Sequence, residues 1–279
     1  MCRLFGFRSV IQSQVHSSLL EADNALGLQS NEHPDGWGVA YYLLNSPHLI
    51  KSSKSALKDS LFKKVSGVVS SETVLAHIRK TTIGDNNILN THPFQFGKWV
   101  FAHNGNISNF NEVKNDILAR INPSFRRFIL GETDSELIFY FILSHLHSEL
   151  DLSDKMLPIH DLFDGLKDCL KELKKVAGSP AEKDNSGEDA TYYTFLLTNG
   201  KAMVGYHGGK NLYYSTYKNK CHERETCPSF SAECESATQT GYINHLIFSS
   251  EPLSGENIWI PLQKDQLVGV DTHMKLTIS

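Results

Sequence analysis

The chain of 279 residues is 40% hydrophobic and 21% charged and carries a formal net charge of −4 at neutral pH. This composition is typical of globular proteins and supplies enough apolar side chains for one large core. Lys and Arg never occur in runs of more than two, which argues against a nucleic-acid or anionic-membrane partner.

The chain predicts a mixture of short strands and amphipathic helices. In the first half, strands are expected at residues 4–8, 37–44, 48–52, 74–79 and 99–103, and helices at 17–28, 56–69, 108–121, 134–150 and 159–176. The helix at 134 is opened by Thr133 with Glu136 three residues on, a capping-box pattern. The longest strongly apolar run, residues 137–143, is too short to cross a bilayer, which takes about 20 residues.

A small, polar and charged segment at residues 177–190 predicts an exposed, flexible loop. A second β-rich part follows, with strands expected at residues 192–198, 202–206, 211–217, 243–249, 257–261, 266–270 and 274–278. Residues 222–240 interrupt it and are interpreted as a surface insertion. We expect one domain over residues 2–279.

The five cysteines, at positions 2, 169, 221, 227 and 234, are an odd number in a chain without a signal-peptide pattern at its start. They predict a reduced, cytoplasmic protein. Cys221, Cys227 and Cys234 with His222 and Glu223 lack the paired spacings of a zinc site, so we expect no metal.

Cys2 follows the initiator methionine directly, and on position alone it is most simply a small apolar residue. A small second residue also permits removal of Met1, which places a thiol and a free α-amine on one residue. An α-amine titrates near ~7.7–8.0 and a thiol near ~8.5, so the amine can accept the thiol proton. Cys2 is therefore a candidate nucleophile that carries its own base.

Three further motifs each have an ordinary interpretation beside a functional one. Arg79 ends a β-like run and is either a solvated loop charge or a fork that holds a carboxylate. Asn104-Gly105 follows a strand and is either a hairpin turn or a pair of oxyanion donors. Asp134 stands at a helix start, where a carboxylate commonly caps the helix.

Together the motifs are similar in order and spacing to those of the class II glutamine amidotransferases, the N-terminal-nucleophile glutaminases. The resemblance covers about the first half of the chain. The residues that carry it are Cys2, Arg79 with Thr82 and Gly84, Asn90 with His92-Pro93, His103-Asn104-Gly105, and Thr133-Asp134.

The resemblance implies an α+β fold, a four-layer αββα sandwich of the N-terminal nucleophile hydrolase type. It implies that Cys2 attacks a glutamine side-chain amide to give a γ-glutamyl thioester, while Asn104 and the Gly105 N–H hold the oxyanion. Arg79 would bind the substrate α-carboxylate and Asp134 its α-ammonium. The residues that would line the pocket are Thr82, His92 and Thr133.

The chain departs from members that carry a synthase domain, because Lys80 and Ile83 replace a tryptophan and a histidine. Residues 31–40 and 249–253 with Trp259 instead resemble stand-alone members that hydrolyse γ-glutamyl bonds of glutathione or in ergothioneine biosynthesis, and Asp35 and Trp37 are candidates to face the pocket. No phosphate loop or dinucleotide fingerprint is present, so we expect no cofactor.

The substrate is expected to be a small molecule, glutamine or a γ-glutamyl amide, and a synthase or peptidase partner subunit stays open. Two alternatives differ in class. The chain could be a catalytically silent glutamine-binding regulatory domain, or a cysteine hydrolase that uses Cys2 with a remote histidine such as His103.

Overall fold

Two seven-stranded sheets form the centre of the computed structural model, which describes residues 2–154, 156–182, 184, 187, 190–221, 224–238 and 241–279. In hydrogen-bonded order, the first sheet consists of β12 (Ile260–Pro261), β9 (Tyr213–Ser215), β11 (His245–Ser249), β1 (Arg3–Gln14), β4 (Ser70–Ile78), β2 (Trp37–Leu43) and β3 (Ser46–Ser52). The second consists of β10 (Gly241–Tyr242), β14 (Lys275–Ile278), β13 (Leu267–Val270), β8 (Met203–Tyr206), β7 (Tyr192–Thr198), β6 (Trp99–Asn106) and β5 (Phe94–Phe96). Neighbouring strands run antiparallel.

Helices connect the strands and cover the two outer faces. The α-helices of the described residues are α1 (Leu26–Gln29), α2 (Ser60–Val68), α3 (Phe110–Arg120), α4 (Pro123–Arg126), α5 (Asp134–Glu149) and α6 (Ile159–Ala177). A π-helical turn spans Ser17–Glu21, and 3-10 turns span Ala56–Lys58 and Ala232–Cys234.

Three buried apolar clusters separate four layers. One packs α1, α2 and the π-helical turn on the first sheet, and a second lies between the two sheets. The third packs α3, α5 and α6 on the second sheet. This is the predicted αββα sandwich, and the prediction of fold class is confirmed.

Side-chain alternation along the strands explains how each sheet serves two clusters. On β4, Leu75 points between the sheets while Ala76 points to the helices. On β6, Ala102 points between the sheets while Phe101 points to α5. Leu4 near the start of β1 also lies between the sheets. Cys2, two residues earlier, therefore lies on the same face.

The predicted helix at residues 17–28 is wrong, because the backbone is extended at Ala22 and Ala25 between the π-helical turn and α1. Asn24 explains the break. Its side chain donates to Pro252 O at 2.7 Å and accepts from Ser254 N at 2.7 Å, so tertiary hydrogen bonds outweigh local helix propensity.

Other boundaries also shift. The predicted helix at 56–69 begins as a 3-10 turn and restarts at Ser60, because Asp59 adopts an extended conformation and caps α2 by accepting from Leu61 N. Strand β1 runs on to Gln14, and β5, β10 and α4 were not predicted from the sequence. The predictions for 177–190 and 222–240 include residues 183, 185, 186, 188, 189, 222, 223, 239 and 240, which lie outside the described residues, and they stay predictions.

Candidate active site

The first candidate residues meet where β1 begins and β4 ends. Arg3 pairs with Ile78 in the antiparallel register, so Cys2 and Arg79 extend the two strands side by side. Alternation places Cys2 on the face of Leu4, and Arg79 on the face of Leu75, which is the face between the sheets. A thiol and a guanidinium therefore emerge at one edge of the sandwich.

The second sheet brings Asn104 to the same edge. The His77 ring on β4 lies with Nε2 3.1 Å from His103 O on β6, and since a carbonyl accepts, Nε2 donates. This hydrogen bond joins the two sheets one residue before Asn104, whose side chain shares the inter-sheet face of Ala102. Asn104 is buried, and its side-chain oxygen has no partner within the described structure.

Gly105 follows where β6 lies against β7. A Cβ on Gly105 would lie 2.2 Å from Tyr192 O and 2.6 Å from His103 Nε2, so no larger residue fits there. Glycine at this position allows the backbone of β6 to approach β7 directly beside Asn104.

The Cys2 thiol is buried and contacts the backbone of Lys80. Sγ accepts the Lys80 N–H at 3.4 Å and lies 3.5 Å from Lys80 O. Burial raises the pKa of the thiol above its usual value, and the Lys80 N–H and the Arg79 charge offset this only in part. The thiol is therefore protonated near neutral pH, and a reaction at Sγ needs a base.

The Arg79 guanidinium donates hydrogen bonds to backbone carbonyl groups of the loop that follows it. Its guanidinium donates to Ile83 O at 3.2 Å, to Gly84 O at 3.4 Å and to Asp85 O at 3.2 Å. Burial lowers the pKa of Arg79, and the charges of Cys2, Asp35 and Asp134 oppose that shift. A partly desolvated cation of this kind attracts an anionic ligand more strongly than a surface arginine does.

Asp134 supplies a buried anion at the N-terminus of α5. One carboxylate oxygen accepts from Ile107 N at 2.7 Å, just beyond β6, and the other accepts from Ser135 N at 2.7 Å. Burial raises the pKa of Asp134 to about 6, and these N–H donors oppose the rise. Asp134 and Arg79 both act electrostatically on the Cys2 thiol, so the three groups share one site.

Thr133 caps α5 by accepting from Glu136 N at 3.2 Å, which confirms half of the predicted capping box. The other half differs. The Glu136 carboxylate accepts from Leu130 N at 3.1 Å and Gly131 N at 2.6 Å, and so fixes the segment that leads into the cap.

A family model described as "Glutamine amidotransferases class-II" matches residues 1–275. The chain belongs to the class II glutamine amidotransferases. This amidotransferase is 29% identical over 234 residues, 73% of its own length and 62% of the relative's, to "Probable glutamine amidotransferase DUG3" of Saccharomyces cerevisiae. It is 32% identical over 115 residues, 38% of its length and 49% of the relative's, to the gamma-glutamyl-hercynylcysteine sulfoxide hydrolase of Mycobacterium tuberculosis.

Solved structures share the fold of the amidotransferase. A predicted glutamine amidotransferase from Pseudomonas aeruginosa superposes with a TM-score of 0.59 at 23% identity, covering 99% of this chain and 100% of that one. A glutamine aminotransferase class-II domain protein from Silicibacter pomeroyi gives a TM-score of 0.60 at 17% identity, covering 100% and 98%. The chain spans less than two thirds of the length of its yeast relative and of a putative glutamine amidotransferase from Haemophilus influenzae, 62% and 65% respectively.

The structure places two further predicted pocket residues of the amidotransferase at different depths. Thr82 is exposed on the bend after Arg79. His92 is buried, with its ring stacked on His77 at 4.2 Å between centroids and edge-on to Phe94 at 4.7 Å. Their roles in binding stay predictions, as do those of the other candidate residues.

Asp35 and Trp37 point in different directions. Asp35 accepts from Thr81 N at 2.8 Å and so holds the segment after Arg79. Trp37 packs edge-on against Phe62 of α2, with ring centroids 5.0 Å apart, on the helix-covered face of the first sheet. Trp37 is therefore a core residue, and the suggestion that it faces the pocket is wrong.

Both ring nitrogens of His103 are hydrogen-bonded. Nδ1 lies 2.9 Å from Ser135 Oγ and Nε2 lies 2.9 Å from Tyr192 O, so Nε2 donates and Nδ1 accepts. Burial lowers the pKa of His103 to about 4. These contacts tie β6 to α5 and β7, which is a structural role.

Sequence reasoning missed the residues that hold the loops of the site. Lys51 donates to Thr91 O at 2.8 Å, and Asn90 bonds both Asp85 and Glu132. Asn90 belonged to a recognised motif, but nothing in the motif indicated its partners. No cluster of three or more potential metal ligands occurs among the described residues, from which His222 and Glu223 are excluded. Within the same part of the chain, no helix has the length and apolarity needed to span a membrane.

Proposed function

We propose that this amidotransferase hydrolyses the γ-glutamyl amide bond of glutamine or of a γ-glutamyl compound through a thioester at Cys2. The observation that carries the proposal is the grouping of one buried thiol, one buried cation and one buried anion, Cys2, Arg79 and Asp134. A zwitterionic amino-acid head needs one fixed charge of each sign, and a nucleophile must lie within reach of its side chain.

In this mechanism Arg79 and Asp134 bind the two ends of the substrate head. The guanidinium has five N–H donors, and its contacts to the loop carbonyls leave capacity for a carboxylate. The Asp134 carboxylate must be ionised to pair with the α-ammonium. With the head held between them, the γ-amide carbon is directed toward Sγ.

The thiol proton passes to a base, and Sγ bonds to the γ-carbonyl carbon, whose oxygen becomes an oxyanion. Asn104 and the Gly105 N–H are proposed to stabilise that charge. Collapse of the intermediate breaks the C–N bond, and the base returns the proton to the departing ammonia or amine. Water then attacks the thioester, giving glutamate and the free thiol.

The α-amine of Cys2 is the proposed base. The histidines around the thiol are poor candidates, because burial lowers the pKa of His33 and His77 to about 3 and both ring nitrogens of His103 are bonded. The amine exists only after removal of Met1, a residue outside the described part of the chain. The working enzyme is therefore proposed to begin at residue 2.

The mycobacterial relative is named as a hydrolase of a γ-glutamyl compound, which supports a γ-glutamyl amide larger than glutamine as the substrate. A larger leaving amine would make ammonia transfer unnecessary. A synthase or peptidase partner subunit and a cytoplasmic location remain part of the proposal.

Labelling tests the proposal directly. The diazoketone analogue of glutamine should add one mass adduct to the processed protein and none to Cys2→Ala, and release of glutamate from glutamine, glutathione and other γ-glutamyl amides should depend on Cys2. Processed wild type that stays unlabelled and inactive would instead support a silent glutamine-binding domain. An N-terminal extension that leaves activity intact would contradict the α-amine as base and favour a histidine.

A further inference from the structure

Asn90 lies between the two charged halves of the proposed substrate site. Its side chain is fully buried, and each end of the amide has one partner. Nδ2 donates to Asp85 O at 3.0 Å, and Oδ1 accepts from Glu132 N at 2.9 Å. One partner belongs to the loop after Arg79, and the other to the segment that leads into Asp134.

The first partner links Asn90 to the cation. Asp85 O also accepts from Arg79 Nη1 at 3.2 Å, so one carbonyl serves both side chains. The loop that Arg79 holds is therefore held from its other side by Asn90. The second partner links Asn90 to the anion, since Glu132 immediately precedes the Thr133 cap and Asp134.

Two glycines make room for this amide. A Cβ on Gly84 would lie 2.8 Å from Asn90 Nδ2, and a Cβ on Gly131 would lie 2.5 Å from Asn90 Oδ1. Gly84 also has a positive φ of 75°. A Cβ on Gly84 would also lie 3.4 Å from Thr133 Cγ2. The loop after Arg79 and the segment that leads into Asp134 therefore lie against each other where Asn90 joins them.

We propose that Asn90 is a positioning residue that sets the separation between the carboxylate-binding Arg79 and the ammonium-binding Asp134. Both ends of the substrate head must be matched at once, so an error in that separation weakens binding of any γ-glutamyl substrate. The Cys2 thiol is hydrogen-bonded to the backbone of Lys80 and not to Asn90, so the amide does not hold Sγ in place. The inference rests on the proposed function.

Asn90→Asp tests the role with almost no change of shape. It removes the donor to Asp85 O and places a second carboxylate oxygen against that carbonyl. Gly131→Ala is a second test that changes no polar group. Its Cβ would lie 2.5 Å from Asn90 Oδ1 and 2.9 Å from Glu136 Oε2, so it displaces the Asn90 amide and also presses on the Glu136 carboxylate. We expect kcat/KM for glutamine or the best γ-glutamyl amide to fall about 10- to 100-fold, mainly through KM, the scale of an ångström-size misplacement.

Two reagents separate head-group positioning from damage to the nucleophile. The diazoketone analogue of glutamine carries the amino-acid head, and iodoacetamide does not. In both variants the first reagent should label Cys2 about 10- to 100-fold more slowly, while the iodoacetamide rate stays within about twofold of wild type. Equal slowing of both reagents, or a normal KM in a folded variant, overturns the inference.

Matched controls exist elsewhere in the chain. Asn199 is buried but uses only its oxygen, which accepts from Lys201 N at 3.0 Å and Ala202 N at 2.8 Å, so Asn199→Asp keeps both bonds. Gly67 lies in α2, and a Cβ there would meet only His16 Nδ1 at 3.9 Å, an ordinary van der Waals contact, so Gly67→Ala is tolerated. Both should match wild type with both reagents. If Asn90→Asp does not fold, Gly131→Ala decides, and a wild type that hydrolyses nothing and is unlabelled defeats the proposed function as well.

Discussion

Replacing Asp134 with asparagine is expected to weaken substrate capture without destabilising the protein at neutral pH. Burial raises the pKa of this carboxyl from 3.8 to about 6. The folded state therefore binds the proton more tightly than the unfolded state, and the ionised carboxylate lowers the free energy of unfolding at pH 7. A difference of about two pKa units corresponds to ~3 kcal/mol.

The substitution also removes a favourable interaction. The Asp134 carboxylate accepts from Ile107 N and Ser135 N with its two oxygens, whereas an asparagine has one acceptor oxygen. One of the two buried N–H groups loses its acceptor, which costs ~1–3 kcal/mol. The two contributions oppose each other, so Asp134→Asn should unfold with a free energy equal to that of wild type or up to ~2 kcal/mol larger.

The difference between the two proteins should depend on pH. As pH falls from about 6 through 3.8, Asp134 takes up its proton in the folded state first, and wild type regains most of ~3 kcal/mol relative to the variant. Urea unfolding at pH 7 and near pH 4 measures this change. A stability difference that does not vary with pH would refute a carboxyl with a raised pKa at this position.

The activity of wild type should fall over the pH range in which its stability relative to the variant rises. Removing the charge that faces a substrate ammonium costs ~2–5 kcal/mol, or about 30-fold to a few thousand-fold in kcat/KM. In wild type, kcat/KM should fall as pH drops below about 6, because protonation of Asp134 removes the same charge. Asp134→Asn that retains wild-type kcat/KM would show that this carboxylate does not bind the substrate head.

Three further substitutions separate chemistry from stability. Asn104→Ala should lower kcat by about 10²–10³-fold, the usual cost of one oxyanion donor, while iodoacetamide still labels Cys2 at the wild-type rate. Gly105→Ala should lower the free energy of unfolding by ~3 kcal/mol or more, since its Cβ would lie 2.2 Å from Tyr192 O, and thermal unfolding measures this. Asp59→Ala should cost ~2–4 kcal/mol in denaturant unfolding at unchanged kcat/KM, because the α2 cap and the partner of Trp37 Nε1 are both lost.

The sequence was sufficient for the parts of the site that follow from strand periodicity. Once β1, β4 and β6 are recognised, alternation groups Cys2 with Leu4, Arg79 with Leu75 and Asn104 with Ala102, and the structure shows that all three groups face the space between the sheets. The antiparallel register then brings the start of β1 beside the end of β4. The Thr133 cap could also be predicted from the sequence, because capping depends on neighbouring residues alone.

Features that depend on contacts between distant parts of the chain could not be predicted from the sequence. The break in the predicted helix at 17–28 depends on Asn24 reaching residues 252 and 254, more than two hundred positions away in the chain. Trp37 was misplaced for a related reason. Its strand was correctly predicted, but which face carries the helices depends on where α2 packs.

Asn90 shows the same limit within the site itself. An asparagine in a polar loop satisfies its amide equally well with water, so only its complete burial between two segments makes its hydrogen bonds necessary. Those segments are joined by contacts of Gly84 and Gly131, and each glycine on its own is consistent with an ordinary turn. The charges of a binding site can thus be read from a motif, while the distance between them depends on a loop packing that one sequence does not specify.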